Sequence, residues 1–136
     1  MYQLNFQKKA EFKSLETGIT IKAILRLGNI EFATRAKVDT GSKICIFRRE
    51  IGEYLEIEIE SGFEKKLITL AGGLTAYGHY VELETIGLKF DTMVYFAADY
   101  SLQRNLLGRQ GWLGLVKIGL DDYRSEIYIS PNDGEL

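Results

Sequence analysis

The residues best placed to do chemistry lie in Ala36-Lys37-Val38-Asp39-Thr40-Gly41-Ser42. A β-branched run ends at Val38 and delivers one carboxylate, Asp39, into a turn built of a hydroxyl residue, a glycine and a second hydroxyl residue. Gly41 has no Cβ, so its N–H can approach the carboxylate closely. The Ser42 hydroxyl can donate to one of the same oxygens, and donors of this kind favour the ionised acid. A carboxylate held in this way can take a proton from water or return one. Other chemistries are poorly supplied. With one histidine, any Ser-His or Cys-His site has to use His79, and a two-histidine metal site is impossible. The single cysteine, Cys45, has no partner for a disulfide and cannot complete a zinc site with His79. Its neighbours Ile44 and Ile46 predict a buried, inert thiol. His79, between Gly78 and Tyr80, reads as a hairpin residue, and Trp112 as core.

The elements that position Asp39 follow from periodicity. Residues 19–27 and 30–38 are rich in β-branched side chains and flank Gly28-Asn29, which predicts a β-hairpin leading into the acid. A short apolar run follows at 44–47, and residues 48–55 read as a brief helix weakened by Gly52. Leu55-Glu56-Ile57-Glu58-Ile59-Glu60 alternates strictly, which predicts a strand with one wet face. Further strands are expected at 66–71, 79–88 and 92–97, the first two joined by the glycine-rich segment Gly72 to Gly78. Residues 109–113 suit a helical turn, and 115–120 and 125–130 read as the last strands. Turn signals recur about every ten residues, so the expected fold class is all-β, a closed barrel or sandwich with one or two short helices.

Composition bounds the partners. The chain has 136 residues, 46% hydrophobic and 26% charged, enough for one domain with its own core. The predicted core covers about 17–130, with 131–136 as a loose tail. Seventeen basic and nineteen acidic residues leave a net charge of −2, which disfavours general nucleic-acid binding. No apolar run approaches the ~18 residues of a membrane span. Met1-Tyr2-Gln3-Leu4-Asn5 lacks the basic-then-apolar pattern of a signal peptide. The expectation is a reduced, cytoplasmic, single-domain protein.

Val38-Asp39-Thr40-Gly41-Ser42 resembles the signature of the aspartic proteases, and more closely of their retropepsin-like, single-domain, homodimeric branch. Two weaker elements follow in the family's order: Gly72 to Gly78 where it carries its flap hairpin, and Leu106-Leu107-Gly108-Arg109-Gln110 where it has two hydrophobics, a glycine and often an arginine. The resemblance implies a retropepsin-like acid-protease barrel with Asp39 as the catalytic acid. Thr40 would tie the two active-site loops together across a two-fold axis. Gly41 and Ser42 would hydrogen-bond the carboxylate. Gly72, Gly73 and Leu74 would sit near the flap tip, with Tyr77 or Tyr80 as the flap tyrosine, and Leu106 and Leu107 would line the substrate pocket. It implies water as nucleophile, peptide or protein substrates, and neither metal nor organic cofactor. One departure stands out: retroviral members have an acid four residues after the catalytic one, where this chain has Lys43.

Such chemistry needs two carboxylates sharing one proton, and this chain has one Asp-Thr-Gly. A homodimer supplies Asp39 twice across its axis. Strand-like ends at 2–6 and 125–130 are the candidate pairing edges. Two other functions fit an all-β domain with a groove under a hairpin. One is a catalytically inactive module that binds extended peptides by strand addition; the other is a non-enzymatic subunit with a large exposed apolar patch.

Overall fold

A computed structural model describes residues 1–15, 18–69 and 72–132. Its strands are β1 (Lys8–Glu11), β2 (Lys13–Leu15), β3 (Gly18–Leu27), β4 (Ile30–Val38), β5 (Ile46–Phe47) and β6 (Phe63–Thr69). They continue with β7 (Gly72–Thr85), β8 (Leu88–Ala97), β9 (Asn105–Leu107), β10 (Val116–Asp121) and β11 (Glu126–Pro131). One α-helix, α1 (Arg49–Tyr54), and 3-10 turns at Ile59–Ser61 and Leu113–Leu115 complete the described elements.

The Gly28-Asn29 hairpin forms: β3 and β4 pair from Thr20↔Lys37 to Leu27↔Ile30, and Gly28 takes φ +59° in the two-residue turn. Short hairpin turns need such left-handed residues to match the strands' twist. β9 then runs parallel to β4 and antiparallel to β5, β5 meets β8, and β8 pairs with β7. β7 returns to β3 through Ile24↔Glu84, Leu25↔Leu83 and Arg26↔Glu82. The pairing therefore closes a ring of six strands, with β2 and β6 on its margins. Period-two alternation turns Ile21, Ala23 and Leu25 inward, against Leu83, Phe96, Leu107 and Trp112. Each large apolar side chain buried here contributes about 1.5–3 kcal/mol. A second sheet, β1-β11-β10, docks on this core through the fully buried Ile127 and Ile129.

Trp112 is wholly buried, and its Nε1–H donates to the Thr85 hydroxyl at 2.9 Å. Thr85→Val keeps the shape and strands that donor. The expected result is a loss of about 1–3 kcal/mol in a urea titration.

Several sequence expectations are corrected. Residues 55–60 are not a strand: Glu56 takes φ +62°, and the chain leaves α1 and enters the 3-10 turn at Ile59–Ser61. Leu55 and Ile59 are buried all the same, so the alternation reported burial without extension. The glycine-rich segment 72–78 is the first half of β7 rather than a connection, and the predicted strand at 79–88 crosses a turn at Ile86-Gly87, where φ is +49° and +75°. The predicted helical turn at 109–113 gives way to the 3-10 turn at Leu113–Leu115, because Gly111 takes φ +97°, which no α-helix passes through. Residues 2–6 form no strand, and β11 is paired on both sides, so neither is a free edge. Pro131 pairs with Val116, and Asn132 N–H donates to Leu115 O at 2.7 Å, so the tail is held at its start; 133–136 lie outside the described residues. So do Leu70 and Ala71, which the strand predicted at 66–71 included.

Candidate active site

Asp39 sits where β4 ends, half-buried, on a loop laced to the segment after β9. Its N–H donates to Leu107 O at 3.0 Å, extending the β4–β9 ladder by one residue. Arg109 N–H donates to Ser42 O, and Gln110 N–H to Lys43 O, each at 2.9 Å. Gly108 lies between these bonds. A Cβ there would collide with the carbonyl oxygen of Ile44 and come within 2.6 Å of that of Ser42. The glycine therefore sets the distance at which the two segments meet.

Within the loop, Gly41 N–H donates to Asp39 Oδ1 at 2.9 Å, and Ser42 N–H donates to Asp39 O at 3.2 Å. The Ser42 hydroxyl does not reach the carboxylate; it donates to Ile44 O at 2.7 Å and holds the loop's far side. Thr40 is exposed, on the rim of a cavity shared with Lys43 and Arg109.

A small apolar cluster fills the space between this loop and the β6–β7 hairpin. Ile44, Ile46, Ala76 and Ala97 are buried in it, with Leu67, Leu74, Tyr95, Leu102 and Leu106 partly exposed around them. β6 pairs with β7 from Phe63↔Gly78 to Thr69↔Gly72, so Leu67 and Leu74 face one another across the hairpin. Gly72 and Gly73 are exposed near its end. Ile68 projects from the hairpin fully into solvent. Gly78 pairs with Tyr95 of β8, and a Cβ there would press on the Met93 sulfur at 2.8 Å and on the Tyr95 ring at 2.9 Å.

Strand alternation divides the predicted pocket residues. Leu106 lies in the apolar cluster beside Asp39, whereas its neighbour Leu107 is fully buried in the main core. Leu74 joins the cluster, whereas Tyr77 faces the other way, packs on the main core and donates to Glu64 Oε2 at 3.3 Å. Leu107 and Tyr77 are thus not brought to the site. Ile44, Ile46, Tyr95, Ala97 and Leu102 also belong to this cluster and were missed; the apolar run at 44–47 and the strand expected at 92–97 carry four of them without marking which face they take. Asn105 was missed as well. Its buried carboxamide accepts from Arg48 N–H at 2.9 Å and donates to Arg35 O at 3.0 Å, which fixes β9 between its neighbours.

Cys45 lies beneath the loop, and Gly108 N–H donates to its sulfur at 3.4 Å. Burial pushes its thiol up to about 11, so it stays protonated at neutral pH. A thiol-reactive chromophore should label it slowly in the native protein and rapidly in denaturant. His79 is likewise occupied away from the site, with Nε2 2.8 Å from Ile59 O.

A six-strand ring, an acid on a glycine-wedged loop and a hairpin across an apolar cluster together define a retropepsin-like fold. Comparison with solved structures gives the same result. The chain is similar to a retropepsin-like aspartic protease from Rickettsia conorii (TM-score 0.65, 19% identity, covering 90% of this chain and 98% of that one). It is also similar to EIAV protease complexed with the inhibitor HBY-793 (TM-score 0.52, 15% identity, 66% of this chain and 80% of that one). No protein-family model and no curated protein matches the sequence.

Proposed function

We propose that this protein is an aspartic endopeptidase, active as a homodimer in which each copy supplies Asp39. The observation that carries this reading is the Asp39 loop itself, with Gly41 N–H on the carboxylate and an apolar cluster beside it under a hairpin. One copy holds half of the required acid pair, and a two-fold axis near the exposed Thr40 completes it.

In the assembled site one Asp39 is ionised and the other keeps a proton, because adjacent carboxylates do not both ionise cheaply. The ionised acid takes a proton from water as the water oxygen bonds to the peptide carbonyl carbon. The protonated acid gives its proton to the carbonyl oxygen. Cleavage of the C–N bond, with proton transfer to nitrogen, then releases a carboxylic acid and an amine. The β6–β7 hairpin serves as a flap over the substrate, and the apolar cluster receives one of its side chains.

The test is cleavage of a diverse peptide library at high protein concentration. Specific activity should rise with concentration as dimers form. The rate should peak on the acid side and fall as pH rises, because the shared proton is lost. A rate that keeps rising above neutral pH overturns the shared-proton mechanism. Absence of cleavage at any concentration turns the reading toward a peptide-binding module.

A further inference from the structure

Two cavities flank the Asp39 loop, and both are lined by cations. One, of about 590 Å³, has Thr40 on its rim with Lys43 and Arg109. The other, of about 540 Å³, is bordered by Arg35, Lys37, Arg48 and Arg104. No aspartate or glutamate lines either cavity. In a chain with more acids than bases, that segregation is a local feature and not a consequence of composition.

Partners separate the structural cations from the available ones. Arg48 lies 3.3 Å from Glu50, and Arg35 donates to Thr20 O at 3.0 Å. Among the described residues, Lys37, Lys43, Arg104 and Arg109 form no ion pair. Their placement follows from the sheet. Ala36 and Val38 pack on the main core, so Lys37 and Asp39 point to the opposite face. Lys37 is paired with Leu106, which belongs to the apolar cluster. Lys37 and Arg104 therefore line a cavity beside the strand that ends just before Asp39, and Lys43 and Arg109 line one beside the loop just after it.

We propose that this cleft selects acidic peptides, extended segments whose apolar side chain is flanked by carboxylates. The location of the cleft rests on the endopeptidase reading; the charge preference does not depend on catalysis. Unpaired cations at the rim of a partly desolvated groove favour carboxylates and repel lysine-rich segments.

The test uses Asp39→Asn protein, which holds substrate without cutting it, and fluorescent peptides with one apolar centre flanked by Glu, Gln or Lys. The Glu peptide should bind about tenfold more tightly than the Gln peptide, and the Lys peptide more weakly than either. The preference should shrink between about 0.1 M and about 1 M salt, as the screening length falls from about 10 Å to about 3 Å. Lys43→Glu with Arg109→Glu should abolish it, because Lys37 and Arg104 remain to offset the two new carboxylates; both substituted side chains are exposed, and circular dichroism checks that the fold survives. Equal binding of the Glu and Gln peptides overturns the proposal. So does a preference that persists unchanged in the double variant, or a double variant that alters only the oligomeric state in sedimentation. Tighter binding of a single-stranded RNA oligonucleotide than of the Glu peptide overturns it too. Cleavage by the native protein is scored separately. Cutting without charge preference sinks this proposal and leaves the endopeptidase, whereas charge-selective binding without cutting does the reverse.

Discussion

Asp39→Asn is expected to lower kcat/KM for peptide cleavage by about a thousandfold, the scale on which a general acid–base group contributes. Asparagine preserves size and can still accept from Gly41 N–H, so the loop geometry survives while the transferable proton does not. In a dimer the substitution enters both halves of the site at once. Thermal stability should move by less than about 1 kcal/mol, because the side chain is half-buried and its one described hydrogen bond is retained in kind. Steady-state cleavage and a melting curve on the same preparation separate lost chemistry from lost fold. Undiminished cleavage by the variant would remove Asp39 from the mechanism.

The second large effect is structural and reaches the site. Gly108→Ala places a methyl group against the carbonyls of Ile44 and Ser42, which are backbone atoms and cannot rotate aside. Relief requires the Asp39 loop to separate from the segment after β9, with loss of the bonds from Arg109 and Gln110 N–H. The expected cost is about 3 kcal/mol, at the upper end for overpacking, with a melting temperature lower by about 10 °C. Activity should fall further than the folded fraction does, because the movement displaces Asp39. Gly73→Ala is the control: its Cβ meets only Leu67 O, at 3.9 Å, and stability should change by less than about 1 kcal/mol. Equal melting temperatures for the two variants would contradict the wedge assigned to Gly108.

Much of the architecture was legible because local chemistry dictated it. Gly28-Asn29 between two β-branched runs specified the hairpin that delivers Asp39, and the turn residues 40–42 specified the loop around it. Leu55 to Glu60 was misread because alternation records burial, and a helix exit followed by a 3-10 turn buried the same residues. The Ile86-Gly87 turn was hidden because a β-branched residue rarely takes positive φ.

By itself, then, the sequence determined the chemistry on offer: one carboxylate in a glycine turn, one cysteine in an apolar run, one histidine, and a mainly β chain to carry them. Which residues surround that carboxylate was decided only by tertiary pairing. Leu106 faces the site while Leu107 enters the core, and Leu74 faces it while Tyr77 turns away. Strand residues an odd number apart diverge in this way, and the register that chooses between them comes from partners far along the chain. The same long-range pairing gathers Lys37, Lys43, Arg104 and Arg109 around one loop, although a net charge of −2 conceals them. Charge sums over a chain, whereas recognition depends on where the fold places each charge.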